Sequence, residues 1–337
     1  MRAREQGFAT PCWTNADKEL YVMGTHVFGK SRMVLGLAQP FGKVYLGMHS
    51  WSRNVATPYM RRFFGDMLYM LSRNNYTLLQ KLGKGGYAEV YKCTSVSGQH
   101  YACKVVEKQS YNYQRIMKEI SIHSHMRPSR HVARLVDTCE DTRSYVMVME
   151  LCEEGHVNIN RVHGEDETKR VIKNTLEGLV DIHSRGVVHK DIKHANLMLH
   201  PDGVKIVDFG ASVYLDTIKD SMVCPDIRGT PWYMSPEVFE YQCSYATDVW
   251  SVGVLAYHMM SGKFPFDDRG NSTNPSMNRI IRSIMQDTPL FEDSVWEDVS
   301  KTAVEFIMEC LAKPPQERPT AADCLKHPWF ANMLPQI

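Results

Sequence analysis

The pattern of apolar residues changes once along this chain, near Glu153, and that change limits the folds open to it. Before this point, short runs rich in Val, Tyr and Thr are separated by turn residues such as Ser97-Gly98, which predicts antiparallel strands. After it, apolar residues recur at helical spacing, as they do over residues 165–184. The predicted fold class is therefore α+β, with a β-rich lobe, an α-helical lobe and a cleft between them.

The element boundaries follow from the same pattern. The first lobe is predicted to contain one main helix at 113–126 and strands at 76–82, 87–94, 100–106, 132–137 and 144–151. The second is predicted to contain a hairpin at 196–200 and 204–207 and helices at 165–184, 247–261, 277–286, 301–310 and 320–326. The chain divides into an N-terminal extension of unknown structure (1–75), a two-lobed domain (76–331, with lobes 76–151 and 152–331) and a short tail (332–337).

Composition excludes several classes of protein. The 337 residues carry a formal net charge of +1, so no whole-molecule field favours a nucleic-acid partner. No apolar run reaches the roughly 20 residues of a membrane-spanning helix, so no transmembrane segment is expected. The nine cysteines include no Cys-x-x-Cys pair. That spacing favours reduced thiols over a disulfide framework or a zinc site, and a cytoplasmic or nuclear location.

A glycine-rich turn joins the first two predicted strands, in the run Gly83-Lys84-Gly85-Gly86-Tyr87-Ala88-Glu89-Val90. Glycines let the backbone come close to phosphates and aim N–H groups at them. A strand rather than a helix follows, and no Lys-Ser or Lys-Thr pair is present, so the run is not a Walker A loop. It resembles the glycine-rich loop of protein kinases, with Ala88 at the place of the third glycine.

Lys104 lies on the third predicted strand, where burying an amine is costly unless the amine is paired. We expect its partner to be Glu119, on the helix that follows. In protein kinases such a pair holds the lysine amine against the α- and β-phosphates of ATP, and the same role is implied here.

The most specific motif is the run His189-Lys190-Asp191-Ile192-Lys193-His194-Ala195-Asn196, which resembles the kinase catalytic loop His-Arg-Asp-x-x-x-x-Asn. The resemblance implies that Asp191 accepts the proton of the substrate hydroxyl. It also implies that Lys193 steadies the γ-phosphate and that Asn196 binds a Mg²⁺ ion. The Asp-x-Lys spacing, rather than the Ala/Arg variants of tyrosine kinases, indicates Ser/Thr specificity.

Further motifs follow in the order of the same family. Asp208-Phe209-Gly210 resembles the metal-binding tripeptide, so Asp208 is the second expected Mg²⁺ ligand. Residues 229–237 resemble the end of the activation segment, in which Thr230 would bond the catalytic Asp and Lys. The resemblance also implies a buried ion pair between Glu237 and Arg318, and an anchoring of the catalytic loop by Asp248.

On these motifs the chain is identified as a member of the serine/threonine protein kinases, most similar to the calcium/calmodulin-dependent group. The resemblance implies the bilobal kinase fold, ATP and Mg²⁺ as cofactors, and protein substrates with Ser or Thr acceptors. Three interpretations of residues 1–75 stay open: a docking segment for a regulatory partner, a targeting segment or a disordered tail. The expected nucleotide-binding residues are Leu82, Gly83, Lys84, Gly85, Gly86, Tyr87, Ala88, Val90, Ala102, Lys104, Met149, Glu150, Cys152 and Met198.

One departure from the family pattern concerns activation. Lys190 replaces the usual arginine, and it lacks the planar fork that binds a phosphate with two hydrogen bonds. Phosphorylation of the activation segment, at Thr217 or Ser221, is therefore expected to be bound less firmly or to be unnecessary.

Two further departures involve histidine. His123 stands four residues after Glu119, where the family has an apolar residue that stacks on Phe209; either a buried neutral imidazole or a pH-sensitive position fits. His156 and Ala195 occupy positions where arginine-directed kinases carry acidic residues. That change weakens the case for a basic substrate, although Glu153 and Glu154 are close by.

Two other classes of protein remain open at this point. A pseudokinase would keep the fold as a binding scaffold without turnover, although Lys104, Asp191 and Asp208 are all present. A small-molecule kinase of related fold is the second alternative, and the intact substrate-docking segment at 229–237 argues against it.

Overall fold

The computed structural model describes residues 76–109, 112–140, 143–215, 222–224, 226–267, 276–331 and 333 with their side chains, and residues 8–15, 18–27, 30–39 and 42–51 by their backbone. The strands of this first part form one antiparallel sheet in sequence order: Phe8–Asn15 (β1), Lys18–Val27 (β2), Lys30–Gln39 (β3) and Gly42–Trp51 (β4). The N-terminal extension thus contains regular strands that its sequence, which lacks clear alternation, did not indicate.

The β-rich lobe is a five-stranded antiparallel sheet with the strand order β5-β6-β7-β9-β8. Its strands are Tyr76–Lys84 (β5), Ala88–Ser95 (β6), His100–Glu107 (β7), Leu135–Glu140 (β8) and Ser144–Met149 (β9). Because side chains alternate along a strand, β7 places Ala102 and Val106 on one face and Cys103 on the other. The two faces belong to different hydrophobic clusters.

Among the described residues, the helix Tyr113–His125 (α1) covers one face of this sheet. It begins at Asn112, whose side chain accepts a hydrogen bond from the Gln114 N–H at 2.8 Å and so caps one of the free backbone donors. Ile116 and Ile120, one helical turn apart, pack into the cluster that contains Met147 of β9. That packing carries Glu119 to the sheet on the same helix.

The second lobe is built around Tyr245–Ser261 (α4), whose residues from Thr247 to Ser261 are all buried. The other helices of this lobe are Glu165–Ser184 (α2), Pro236–Phe239 (α3), Met277–Gln286 (α5), Lys301–Cys310 (α6) and Ala321–Cys324 (α7). Short strands pair as Val187–Val188 (β10) with Val213–Tyr214 (β13), Leu197–His200 (β11) with Gly203–Ile206 (β12), and Met222–Val223 (β14) with Gln242–Cys243 (β15). Among the described helices, none is both long and apolar enough to cross a membrane.

This architecture confirms the predicted α+β class with its two lobes. One predicted strand is displaced: residues 132–137 were expected, and the strand runs from Leu135 to Glu140. The reason is that the apolar pair Val132-Ala133 belongs to the second lobe instead. Val132 forms a parallel bridge with Ile206, and the Ala133 N–H donates to the Ile206 carbonyl at 3.1 Å.

The expectation of unpaired thiols is wrong for four cysteines. Disulfides join Cys93 to Cys103 and Cys224 to Cys243. In both cases the cysteines sit on or directly beside paired strands, β6 with β7 and β14 with β15. Sequence spacing does not reveal such cross-strand neighbours, because the pairing depends on strand register. The free cysteines of the described residues are Cys139, Cys152, Cys310 and Cys324.

A buried ion pair joins the end of the activation segment to the last part of the helical lobe, as predicted. Arg318 donates from both terminal nitrogens to the two carboxylate oxygens of Glu237, at 2.7 and 2.8 Å. The same guanidinium donates to the carbonyls of Ala312, Lys313 and Ala246. Both side chains are buried, and every polar atom of the pair therefore needs its partner.

We expect Glu237→Gln to lower the free energy of unfolding by about 3–5 kcal/mol, because it leaves a buried guanidinium without its counter-charge. Urea unfolding followed by circular dichroism measures the change. Asp323→Asn is the matched control, since it removes one carboxylate from the exposed Lys326–Asp323 pair. This control should not shift the midpoint measurably. Equal shifts in the two variants would contradict the stabilising role of the buried pair.

Candidate active site

Three segments from both lobes meet at Lys104. Its Nζ lies 2.6 Å from Glu119 Oε1 and 2.8 Å from Asp208 Oδ1. The lysine is on β7, the glutamate on α1, and the aspartate follows the β11–β12 hairpin of the second lobe. The expected Lys104–Glu119 pair is therefore present, and it is joined by the aspartate of the Asp-Phe-Gly tripeptide.

Electrostatics keep Lys104 and Asp208 charged, whereas burial raises the pKa of Glu119 above its ordinary value. Burial opposes a charge on Lys104, but the carboxylates of Glu119 and Asp208 outweigh it and raise the pKa of the lysine above its ordinary value. Desolvation would likewise raise the pKa of Asp208. The Lys104 charge and the Gly210 N–H oppose it and hold the Asp208 pKa at about 2. Near neutral pH the site thus presents an ammonium beside an ionised carboxylate.

The carboxylate of Asp191 is held by neighbours on both sides. Lys193 donates to its Oδ2 at 2.8 Å and to the Thr230 hydroxyl at 2.8 Å. The Thr230 backbone N–H donates to its Oδ1 at 3.1 Å. Asn196 donates its side-chain amide to the Asp191 carbonyl at 2.8 Å and to Oδ2 at 3.0 Å. The four residues that the motifs singled out therefore form one connected hydrogen-bond network.

Asp248 of α4 holds the loop that carries Asp191. Its carboxylate is fully buried and accepts the backbone N–H groups of His189 and Lys190, each at 2.8 Å, and the Nε2 of His183 at 2.9 Å. Burial opposes its ionisation, but the hydrogen bonds and the His183 charge outweigh burial and lower its pKa. The predicted anchoring of the loop by Asp248 is confirmed.

Gly229 brings the activation segment into contact with this loop. Its φ is +125°, which L side chains rarely adopt, and a Cβ at this position would lie 2.9 Å from the Lys190 carbonyl oxygen and 3.4 Å from Asp191 Oδ1. Only a residue without a side chain permits this approach. It places Thr230 within hydrogen-bonding distance of the Asp191 carboxylate.

The expected nucleotide-binding residues come from the glycine-rich turn, the sheet and the link between the lobes. The turn between β5 and β6 is closed by the Gly85 N–H, which donates to the Ala88 carbonyl at 2.8 Å. Strand register places Val90 opposite Lys104 and Ala102 opposite Met149, which is buried at the end of β9. Leu82, Lys84 and Tyr87 are exposed around the same turn.

Glu150 lies in the link between the lobes, where one of its backbone groups is already in use. Its backbone N–H donates to the Arg134 carbonyl at 2.9 Å, so of its two backbone groups the carbonyl is the one left to meet an adenine base. Its side chain is held 2.8 Å from Lys205. Cys152 is buried, and burial raises the pKa of its thiol to about 11, so this thiol is not a reactive one. Met198 lies on β11, bridged to His156.

His123 is buried and packs on the tripeptide phenylalanine. Its ring centroid is 5.0 Å from that of Phe209, and the His189 ring packs edge-on against Phe209 at 5.1 Å. The His123 Nε2 donates to the Ala133 carbonyl at 2.6 Å. Burial is the main cause that lowers its pKa from 6.5 to about 4. Near neutral pH it is therefore a neutral hydrogen-bond donor in the core.

The sequence did not indicate a group of aromatic rings next to Asp191. His194 has its Nδ1 3.1 Å from the Tyr233 hydroxyl, and its ring lies 6.0 Å from that of His156. His258, from α4, packs edge-on against Phe264 at 4.1 Å. The motifs gave a signal for His156, His194 and Tyr233, but none for His258, because no local pattern links a residue on α4 to the catalytic loop.

Comparison with known proteins gives a consistent picture. A family model described as the protein kinase domain matches residues 76–330. Serine/threonine-protein kinase 17A of Oryctolagus cuniculus is 33% identical over 268 residues, which cover 75% of this chain and 65% of the relative. MAP kinase-interacting serine/threonine-protein kinase 1 of Xenopus tropicalis is 30% identical over 285 residues, 76% of this chain and 68% of the relative.

A third relative is a plant protein. Calcium-dependent protein kinase 11 of Arabidopsis thaliana is 33% identical over 273 residues, which cover 77% of this chain and 53% of the relative. The chain thus spans between 53% and 68% of the length of these three relatives.

The neutral state of His123 predicts how stability depends on pH. In the unfolded chain its pKa returns to 6.5, so the unfolded state binds more protons between pH 6.5 and about 4, and folding stability falls as the pH falls through that range. Between pH 6.5 and about 4, we expect the free energy of unfolding of His123→Leu to fall by about 3 kcal/mol less than that of the wild-type chain. Urea titrations at several pH values measure it. The control variant is His125→Leu, which changes an exposed histidine on the same helix. The prediction would be contradicted if stability plotted against pH ran parallel for His123→Leu and the wild-type chain.

Proposed function

The chain belongs to the protein kinase family, and we propose that it is an active serine/threonine kinase that transfers the γ-phosphoryl group of ATP to protein substrates. The observation that supports this most strongly is the network around Asp191, in which Lys193, Thr230 and Asn196 all contact the same residue. Its relatives are serine/threonine kinases of the group that its motifs indicated.

Asp191 acts as the proton acceptor in this proposal. Its carboxylate is oriented by donors to both oxygens, so it can accept the proton of a Ser or Thr hydroxyl and aim that oxygen at the γ-phosphorus. Lys193 bridges Asp191 and Thr230, and its ammonium stabilises the negative charge on the transferred group. The lysine–threonine contact supports Ser/Thr rather than Tyr acceptors.

ATP and Mg²⁺ are the cofactors that the residues fit. Asn196 commits its amide nitrogen to Asp191, so its carbonyl oxygen is the atom available to a cation, and the low pKa of Asp208 keeps its carboxylate ionised. Oxygen ligands of this kind are those that Mg²⁺ prefers, and the ion neutralises phosphate charge when bound. Lys104 would bind the α- and β-phosphates, and the turn at 83–90 would cover them.

The adenine base would bind between the lobes, and substrates and regulators would bind outside this cleft. Val90, Ala102 and Met198 would supply apolar contacts to the base, and the Glu150 carbonyl and the Cys152 backbone would offer it hydrogen bonds. Residues 1–75 lie outside the match to the family model, and a regulatory partner would bind there. The pseudokinase alternative has less support, because Lys104 makes both of its ion pairs.

Asp191→Asn is expected to lower phosphate incorporation into a generic protein substrate by about a hundredfold or more, since it removes the proton acceptor but keeps the shape of the side chain. Radiolabelled ATP measures incorporation, and equilibrium binding of a fluorescent ATP analogue should be unchanged. Lys326→Ala, in the exposed pair with Asp323, is the control for purification and handling. ATP binding by the wild-type chain without incorporation would favour the scaffold alternative.

We also infer that activation does not need a phosphate at Thr217 or Ser221, both of which lie outside the described residues. The support comes from Asp226, later in the same segment. Its carboxylate lies 2.7 Å from Arg228 Nε and 3.6 Å from Arg115 of α1. Lys190 donates to its backbone carbonyl at 3.5 Å. An aspartate thus already occupies a cationic site between the activation segment, α1 and the catalytic loop.

This inference predicts opposite results for two variants. Thr217→Ala combined with Ser221→Ala should keep the specific activity of the wild-type chain, with mass spectrometry used to record any phosphate on either protein. Asp226→Asn should lower kcat severalfold, because α1 and the catalytic loop lose the carboxylate between them. Loss of activity in the double alanine variant alone would show that a phosphate is required.

A further inference from the structure

Three histidines and a tyrosine form a recess beside the catalytic network; we call His156, His194, Tyr233 and His258 the histidine recess. The rings of His156 and His194 have centroids 6.0 Å apart, and the His194 Nδ1 is 3.1 Å from the Tyr233 hydroxyl. Exposure falls from His156, which is exposed, through His194, which is half-buried, to the buried His258. His156 therefore lies on the solvent side of this group and His258 on its buried side.

The recess lies next to the place where the substrate hydroxyl must sit. His194 follows Asp191 by three residues. On the other wall, the Tyr233 N–H donates to the Thr230 carbonyl at 2.9 Å, and Thr230 itself contacts the Asp191 carboxylate. A peptide that presents a hydroxyl to Asp191 therefore runs past these rings, and a neighbouring side chain of that peptide can enter the recess.

His258 closes the recess with a polar atom that has no partner. Its side chain is 6% exposed, and among the described residues its Nδ1 has no hydrogen-bond partner. The ring is held edge-on by Phe264 at 4.1 Å, and Phe264 also packs on Tyr233 at 5.5 Å. A buried imidazole nitrogen without a partner carries an uncompensated desolvation cost, which an incoming ligand atom would remove.

Near neutral pH the histidine recess supplies neutral hydrogen-bond donors, because burial lowers the pKa of both His194 and His258. Burial lowers the pKa of His258 to about 4, and the charge of His194 lowers it further. None of the three histidines forms an ion pair with a carboxylate of the described residues, and Glu153, three residues before His156, pairs with Lys92 at 2.7 Å. Burial also raises the pKa of Tyr233, so its hydroxyl keeps the proton that it can donate. The His194–Tyr233 contact uses one of these donors, and the remaining N–H groups of the recess have no counter-charge within it.

We propose that the histidine recess binds an oxyanion, a carboxylate or a phosphate, carried by a residue of the protein substrate close to its acceptor Ser or Thr. The enzyme then selects acidic or previously phosphorylated substrates over basic ones. This specificity rests on the kinase activity proposed above, since the recess acts on the substrate that Asp191 receives. Imidazole N–H and phenol O–H groups bind oxyanions well, because hydrogen bonds to ionised acceptors are the stronger ones.

Synthetic peptides test the proposal on the full chain. One acceptor Ser is flanked on each side by four positions, and each position in turn carries Ala, Arg, Asp or phosphoserine. At one position we expect Asp or phosphoserine to raise kcat/KM about tenfold over Ala, mainly through a lower KM, as one added charge-assisted hydrogen bond would do. Arg at that position should lower it. Enhancement by both anions identifies any oxyanion as the ligand, and enhancement by phosphoserine alone identifies phosphorylated substrates.

Variants then connect this preference to the recess. His156→Glu adds a carboxylate at the exposed side, where folding is not at risk, and should reverse the preference from Asp to Arg at the same position. His258→Phe should abolish the preference, and its circular dichroism spectrum and unfolding midpoint check that it folds. His125→Glu, an exposed histidine on α1, is the matched control and should keep the wild-type profile.

The outcomes separate this proposal from the kinase activity. The oxyanion proposal is overturned if the wild-type chain phosphorylates all peptides with similar kcat/KM, or prefers Arg. The proposed kinase activity would then still stand. An unchanged preference for Asp in both His156→Glu and His258→Phe overturns the oxyanion proposal as well. No incorporation into any peptide or protein would instead overturn the kinase function itself.

Discussion

The buried carboxylate of Asp248 is the interaction on which the catalytic loop depends. Lys190, the residue before Asp191, has a φ of +69°, a conformation that costs a residue with a Cβ about 1–2 kcal/mol. The two backbone N–H groups that Asp248 accepts lie at this strained position, and they offset its cost. Because Asp248 belongs to α4, the most deeply buried helix of the described chain, the direction of the Asp191 side chain is set by the core of the lobe.

Lys104 transmits a second constraint, between the lobes. Taking an ammonium and two carboxylates out of water is expensive, and the direct contacts at 2.6 and 2.8 Å compensate only while all three groups are in place. The position of α1, which carries Glu119, is thereby coupled to the backbone at Asp208. That backbone is itself strained, with a φ of +67°. A shift of α1 away from the sheet would leave a buried charge unpaired, so the arrangement behaves as a unit.

Much of this could be predicted from the sequence, because the strands and helices follow local apolar patterns and each motif lies in one short run. The Glu237–Arg318 pair, 81 residues apart, was predicted only through the resemblance to a family. What could not be predicted depends on contacts between segments that share no pattern. The Cys224–Cys243 disulfide depends on the pairing of β14 with β15. The cationic site around Asp226 forms only where the activation segment, α1 and the catalytic loop meet. His258 belongs to α4, far in sequence from the other members of the histidine recess. Val132-Ala133 was misassigned since its partner Ile206 lies 74 positions later.

The close approach at Gly229 also limits how this protein can vary. Two backbone segments touch there with no space for a methyl group, so nineteen of the twenty amino acids would act as a wedge between the activation segment and the catalytic loop. Such a wedge would separate Thr230 from Asp191 without changing either residue. Loss of function could therefore arise in a chain whose chemical groups are all intact and whose core is fully folded. Sequence inspection for missing catalytic residues would overlook that kind of inactive kinase.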